Sequence, residues 1–392
     1  MCPSYMVTRD EEHSTRGRAN ALRAALSGRL PTDAFTSSRM HEVLDLCLEC
    51  KGCKSECPTN VDMAKIKYEF LAHYHQRHGI PLRAHFFANV ETLNRWGSRL
   101  APASNWMVRF PPAKLFMQQW LGISAKREIP PFARRTFLDW FAQRPRSDAT
   151  QPDRPEVVLF HDCFLTYNYP RIGQAAVELL ERMGHRVLLV DKVCCGRPMI
   201  SKGLVDQARS RAAHNVRLLA PYVKRGVPVL GCEPSCLLTL RDEYPDLLCN
   251  DNAQAVAGAA FMIEEYLMDR LDSGETLPRK SFSGRKVLLH GHCHLKAIVG
   301  TRPLVRCLRE LGGFEVIEVD SGCCGMAGSF GFEKEHYDLS LAIGQRRLFP
   351  AVTSMSPDTE IVASGVSCRQ QIEHGTGRLA RHPVEVLHSL FL

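Results

Sequence analysis

Val187-Leu188-Leu189-Val190-Asp191-Lys192-Val193-Cys194-Cys195-Gly196 returns 129 residues later as Val316-Ile317-Glu318-Val319-Asp320-Ser321-Gly322-Cys323-Cys324-Gly325. Each copy is a short apolar run of strand composition that ends in an adjacent cysteine pair and a glycine. The shift persists on both sides of the pair. Upstream, the strand-like Val157-Val158-Leu159-Phe160 leads to Cys163, and Val287-Leu288-Leu289-His290 leads to Cys293, an offset of 130 between the two cysteines. Downstream, Val227-Pro228-Val229-Leu230 precedes Cys232-Glu233-Pro234-Ser235-Cys236, and Ile361-Val362-Ala363 precedes Cys368, which stands 132 residues after Cys236. A near-constant shift across so many landmarks is an internal repeat.

Between the strands the apolar residues recur at helical spacing. Ile172, Ala175, Ala176, Leu179, Leu180 and Met183 share one face and stop at Gly184; Leu304, Val305, Leu308 and Leu311 do the same in the second copy. Strands alternating with helices imply parallel sheets, whose carboxyl ends share one edge where ligand sites form. The expected architecture is α+β and multidomain: a helical ferredoxin-like N-terminal domain, then two repeated α/β cysteine-rich lobes. The expected boundaries are 1–80 for the ferredoxin-type domain and 81–154 for a helical connector without cysteine, broken at Pro111-Pro112 and Pro130-Pro131. The lobes are expected over 155–275 and 284–392.

Composition narrows the function. A chain of 392 residues with 45% hydrophobic and 23% charged residues is globular and large enough for two or three cores. Sixteen cysteines are too sparse for a secreted disulfide scaffold, and Met1-Cys2-Pro3-Ser4 has no signal-peptide character, so reduced, metal-binding thiols in the cytoplasm are expected. The longest apolar stretch, Ala255 to Ile263, is about half a bilayer crossing, so no transmembrane segment is expected. The net charge of +8 counts cysteines as neutral, and the basic residues lack aromatic interleaving, which argues against nucleic acid.

Cys47-Leu48-Glu49-Cys50-Lys51-Gly52-Cys53-Lys54-Ser55-Glu56-Cys57-Pro58 has the spacing C-x2-C-x2-C-x3-C-P. Three such thiolates wrap one 4Fe-4S cube, and in two-cluster ferredoxins the fourth, before proline, serves another cube. Zinc sites favour two separated C-x2-C pairs, so the spacing points to iron and sulfide. By the same rule Cys2-Pro3 supplies the fourth ligand to the cube of Cys47, Cys50 and Cys53, and Cys57 belongs to a partner cube. The partner's own run is missing, and its natural place is immediately before residue 1, so the chain is expected to be the C-terminal piece of a longer polypeptide or gene.

The repeats supply the second set of candidate ligands: Cys163, Cys194, Cys195, Cys232 and Cys236 in the first copy, and Cys293, Cys323, Cys324 and Cys368 in the second. Ser364 stands where Cys232 would align, so the second copy is expected to have one ligand fewer. Adjacent cysteines point in different directions and suit an irregular cluster better than a single ion. Gly196 and Gly325 permit positive φ and close backbone approach. His292 and His294 flank Cys293 and are either nitrogen ligands or structural hydrogen-bonding groups, with His161 a weaker candidate. Cys249 and Cys307 fall outside the pattern and read as ordinary core thiols. Gly375-Thr376-Gly377-Arg378-Leu379-Ala380 fits a dinucleotide fingerprint in letters only, because no strand precedes it.

Together, the four-cysteine run, the two Cys-Cys-Gly repeats, Glu233-Pro234-Ser235-Cys236 and His290-Gly291-His292-Cys293-His294 resemble the iron–sulfur (C-terminal) portion of FAD-linked D-2-hydroxyacid dehydrogenases. They are also similar to the glycolate oxidase iron–sulfur subunit and to the cysteine-rich subunit of heterodisulfide reductase. The resemblance covers essentially the whole chain. It implies an electron-transfer module in which a flavin, held on a partner domain or subunit, oxidises a 2-hydroxyacid and the clusters carry electrons to a quinone or another acceptor. It assigns no catalytic residue here and implies an oxidoreductase component that depends on its flavin partner and reaches a membrane through that partner. In heterodisulfide reductase doubled motifs of this kind hold noncubane clusters. Here the first copy has C-x3-C where that subunit has C-x2-C, and the second lacks a cysteine, so the repeats are open to a noncubane cluster, a cubane or zinc. A thiol or disulfide reductase, and a zinc-stabilised interaction module without redox chemistry, stand as alternatives.

Overall fold

Two small parallel sheets frame the computed structural model, which describes residues 2–144, 154–277 and 284–391. The first sheet contains β1 (Glu156–Leu159), β2 (Arg186–Leu188), β3 (Val229–Gly231) and β4 (Ala260–Met262), in the order β2-β1-β3-β4. The second contains β5 (Lys286–His290), β6 (Glu315–Glu318) and β7 (Glu360–Ala363), in the order β6-β5-β7. Val157 pairs with Val187 as Val287 pairs with Val316, so the repeat seen in sequence is repeated in register. Both central strands are buried through Val157–Leu159 and Val287–Leu289. That is the burial expected of parallel strands, whose crossover helices cover the sheet faces.

The helical spacing is realised where it was read. Helix Pro170–Arg182 buries Ile172, Ala175, Ala176, Leu179 and Leu180 and ends before Gly184, whose φ is +89°. Helix Arg302–Glu310 buries Leu304 and Leu308. Sequence reading passed over β4. The apolar run Ala255–Ile263 changes from the end of helix Asp251–Gly258 to strand within a few residues, and three residues of strand have no periodicity of their own.

Residues 81–144 do more than connect. They form helices Leu82–Ala88, Val90–Arg99, Ala103–Arg109, Pro111–Leu121 and Phe137–Gln143. Pro111-Pro112 opens a helix, because the first-turn N–H groups have no intrahelical acceptor to lose. Arg127 is buried and donates to Gly331 O (2.8 Å) and Ser340 Oγ (2.9 Å), while fully buried Phe137 belongs to the core of the first lobe. Leu100, Trp106, Phe116 and Trp120 of this region remain exposed. The expected end of the connector at 145–153, the segment 278–283 between the lobes, and the terminal residues 1 and 392 lie outside the described residues.

One apolar core runs through both repeats, joining Val157 and Leu179 to Val287, Leu304 and Val386. The last helix, Pro383–Ser389, follows the second repeat in sequence but packs on helix Pro170–Arg182 of the first. Among the described residues no helix is long and apolar enough to cross a membrane.

The cysteine-run domain is tied to the second lobe by His336, whose Nε2 lies 2.7 Å from Asp45 and whose Nδ1 lies 3.1 Å from Glu333. Burial disfavours the charged ring, but the two carboxylates outweigh it and raise its pKa to about 9. The stabilisation from this raised pKa is complete below the ordinary histidine value of about 6.5 and is lost as pH rises through about 9. His336→Gln is expected to destabilise the protein by about 1–2 kcal/mol near pH 6.5 and by much less near pH 10. Thermal unfolding of both proteins across that range checks it.

Candidate metal centres

The backbone between Cys47 and Cys53 turns through two non-glycine residues of positive φ, Glu49 (+51°) and Lys51 (+61°), before helix Gly52–Glu56. Such conformations cost about 1–3 kcal/mol each and persist only where the surroundings hold them. Here the holding groups are buried ions. Arg197 Nη2 lies 2.8 Å from Glu49, its Nη1 lies 2.7 Å from Glu243, and Lys51 Nζ lies 2.6 Å from Glu243 and also pairs with Asp242. Lys67 Nζ donates to the carbonyls of Cys47 (2.7 Å) and Asp45 (3.0 Å).

Cys2 joins this group. Arg18, fully buried, donates from Nη1 to Cys2 Sγ (3.1 Å) and from Nη2 to Ser4 Oγ (3.0 Å). Burial pushes the Cys2 thiol up, but the Arg18 charge and hydrogen bonds from Ser4 and Arg18 overcome it and hold the pKa below the ordinary value. The Cys2 charge acts in turn on Cys47, Cys50 and Cys53, whose pKa values burial raises. All four line one cavity of about 870 Å³, together with Cys57, Cys293 and Cys323. Cys57 is half-buried at the rim; its sulfur lies 3.2 Å from Thr59 Oγ1, and this contact with backbone N–H groups lowers its pKa. Four soft donors converging in one roomy cavity fit a cubane iron–sulfur cluster, which requires thiolates in place of the protonated thiols.

In each lobe the cysteines follow strand ends, and the parallel order gathers them at one edge. In the first lobe Cys194 accepts from Cys163 and from Cys195, and Cys195 also contacts Cys236. In the second, Cys323 contacts Cys293 and Cys324, and Cys324 accepts from Cys368. Accepting from two neighbouring thiols lowers the pKa of Cys194 and of Cys324 well below the ordinary value, and a hydrogen bond from Cys323 brings Cys293 to about 6. Cys232 follows the end of β3 and, besides burial, feels Asp162, Glu264 and Glu233. Ser364, at the aligned place, is buried with its Oγ unpartnered. Four cysteines thus interact with one another in each lobe, where sequence reading counts five ligands in the first and four in the second.

Local structure explains the presentation. Cys163 and Cys293 each begin a helix, N-capped by Asp162, which accepts from Phe164 and Leu165 N–H (2.9 Å each), and by His292, whose Nδ1 accepts from His294 N–H (3.1 Å). His294 Nε2 meets Glu49 O at 3.0 Å, and burial keeps its ring neutral. Both histidines thus have structural partners, and so does His161, which contacts Thr166 and Val190. Gly325 has φ +96°, and a Cβ there would stand 2.3 Å from Ser340 O.

Sequence reading missed the supporting charges. Glu91 accepts from Cys194 N–H (3.0 Å), and buried Lys192 interacts with Cys163, Glu91, Cys194 and Cys195, which keep it cationic against burial. Lys192 stood in the repeated stretch opposite Ser321, and that mismatch was the available signal. The three sulfur groups also converge. Cys50 and Cys293 act on each other, and Arg197 interacts with both Cys293 and Cys195.

A helical cysteine-run domain followed by two cysteine-rich α/β lobes defines an iron–sulfur protein of the oxidoreductase class. Residues 1–62 match the 4Fe-4S dicluster domain, and 157–241 and 287–373 match the Cysteine-rich domain. The chain is 33% identical to the C subunit of the anaerobic glycerol-3-phosphate dehydrogenase of Escherichia coli strain K12, over 78% of this chain and 76% of that protein, and it belongs to that iron–sulfur family. It is 28% identical to the D-2-hydroxyglutarate dehydrogenase of Pseudomonas putida, over 99% of this chain but 41% of that protein. It is 27% identical to lactate utilization protein A of Exiguobacterium, over 60% of this chain and 95% of that protein.

Arg197→Met removes the cation between Glu49 and Glu243. It is expected to cost about 3–5 kcal/mol, the range for leaving a buried charge without its partner. Denaturant unfolding of the anaerobic protein measures this, and a loss below about 1 kcal/mol would show that the pairing does not hold the cysteine run.

Proposed function

We propose that this chain is the iron–sulfur electron-transfer module of a flavin-linked dehydrogenase acting on a 2-hydroxyacid or a related alcohol. It would receive electrons from an FAD-binding partner domain or subunit and deliver them to a quinone or another acceptor. The observation that carries the reading is the convergence of Cys2 with Cys47, Cys50 and Cys53 on one cavity that also touches Cys293 and Cys323. In this reading Cys2, Cys47, Cys50 and Cys53 hold one 4Fe-4S cluster, and Cys57 at the rim serves a second. Cys163, Cys194, Cys195, Cys232 and Cys236 in the first lobe, and Cys293, Cys323, Cys324 and Cys368 in the second, hold further metal.

When bound, such clusters supply one-electron steps whose potential responds to charge, burial and hydrogen bonds to sulfur. The chain's own residues set those terms. Arg18 places a hydrogen bond on Cys2, Lys192 places a cation beside the first-lobe sulfurs, and Arg197 places one between the two lobes. Positive charge near sulfur favours the more negative, reduced state. The chain would work in the cytoplasm and meet a membrane through its partner.

A second reading has one observation of its own. Cys194, with its lowered pKa and Lys192 close by, has the character of a reactive thiolate, as a thiol or disulfide reductase centre requires. That reading predicts disulfide cleavage with an artificial donor, lost in Cys194→Ser.

Iron, acid-labile sulfide and zinc on anaerobically purified protein test the first reading. Near-equal iron and sulfide above about four per chain is expected, and zinc with little sulfide would refute it in favour of a non-redox module. Cys2→Ser should lower iron and sulfide by about four each, whereas Cys57→Ser should leave this chain's own cube intact. The reverse pattern would refute the assignment of Cys2.

A further inference from the structure

The two lobes share four cysteines but differ in what stands beside them. In the first, Phe160 ends the central strand segment and Lys192 Nζ lies 5.1 Å from its ring centroid. At the aligned places in the second lobe are His290 and Ser321, and Ser321 Oγ lies 2.9 Å from His290 Nδ1. An apolar ring and a cation in one lobe are thus replaced by an imidazole and a hydroxyl in the other. A buried cation is compatible with an all-thiolate centre of high negative charge, and a neutral imidazole adds a nitrogen donor where fewer charges are collected.

Three donors of the second lobe stand close together. A ring nitrogen of His290 and the sulfurs of Cys324 and Cys368 all lie within 4.8 Å of one another, and all three residues are buried. Metal–sulfur and metal–nitrogen bonds of about 2.3 and 2.0 Å place the ligands of one tetrahedral ion about 3.4–3.8 Å apart. Small side-chain rotations close the observed triangle to that size, whereas the thiolates of a cluster bind different irons and are held further apart. His290 Nε2 is buried without a hydrogen bond of regular geometry, and the ring interacts with the Cys324 sulfur beside it. Nδ1, meanwhile, is oriented by an oxygen, as the second nitrogen of a ligating histidine usually is.

We propose that His290, Cys324 and Cys368 bind one divalent ion of the zinc type, with the fourth position facing Cys293 and Cys323, and that the lobes are therefore chemically unlike. This rests on the reading of the lobe cysteines as metal ligands. His290 was not among the ligands expected from sequence, where the flanking His292 and His294 drew attention. The ion in this site has no redox role; it fixes the second lobe against the cavity that Cys293 shares with Cys50.

Zinc analysis and zinc-edge X-ray absorption on the full anaerobic protein test the proposal. About one zinc per chain is expected, with a nitrogen scatterer near 2.0 Å beside sulfur near 2.3 Å. His290→Phe should remove the nitrogen scatterer and at least about 80% of the zinc while leaving iron and sulfide unchanged. His290→Cys should keep the zinc in an all-sulfur shell, which separates loss of a ligand from loss of the fold. Absence of zinc from wild-type protein that carries iron and sulfide, or a fall in iron and sulfide with His290→Phe, would overturn the site but leave the electron-transfer reading standing. Zinc with the stated shell in protein devoid of sulfide would uphold the site and overturn that reading.

Discussion

The guanidinium of Arg197 between Glu49 and Glu243 is the interaction on which the rest of the molecule depends. Glu49 belongs to the cysteine run, Arg197 follows the Cys-Cys-Gly of the first lobe, and Glu243 follows the helix that carries Cys236. The carbonyl of Glu49 also receives His294 of the second lobe. Three segments far apart in the chain are thus joined by buried charges. Such charges have large desolvation costs, so any arrangement that leaves one unpaired is strongly disfavoured. Specificity follows from that penalty: the cysteine run can adopt its strained turns in only one position relative to both lobes.

The same ions influence the sulfurs. Thiols buried in apolar surroundings stay protonated and inert, whereas those close to arginine, lysine or a donating thiol become thiolates ready for metal. Cys2 beside Arg18, Cys194 near Lys192 and Cys324 between Cys323 and Cys368 each have such a neighbour. Arg197 serves both fold and metal chemistry, pairing with Glu49 and Glu243 and interacting with Cys195 and Cys293. A substitution that loosens the joint would disturb both.

Much of the design was legible in the letters. Cysteine spacing is local chemistry: C-x2-C-x2-C needs only a few residues of backbone to wrap one centre, so Cys47, Cys50 and Cys53 could be read directly. The Cys2-Pro3 expectation came from the same ligand logic, and the structure brings Cys2 to those three. The repeat and its helices were equally legible, because burial of one face imposes periodicity. The existence of β4 was not legible, for the converse reason: a three-residue strand depends on neighbours that periodicity does not encode.

By itself, then, the sequence determined the protein's class, its two-lobed repeat and the cysteines available to metal, since each of these depends on residue type and short-range spacing. Tertiary structure decided which cysteines meet. It returned the last helix to the first lobe and placed Arg197, Lys192 and His290 beside sulfurs up to nearly a hundred residues away. The physical reason is that Coulombic and hydrogen-bonding terms act through space and fall off with distance between atoms. Position along the chain says nothing of that distance until the sheets have brought their ends to a common edge.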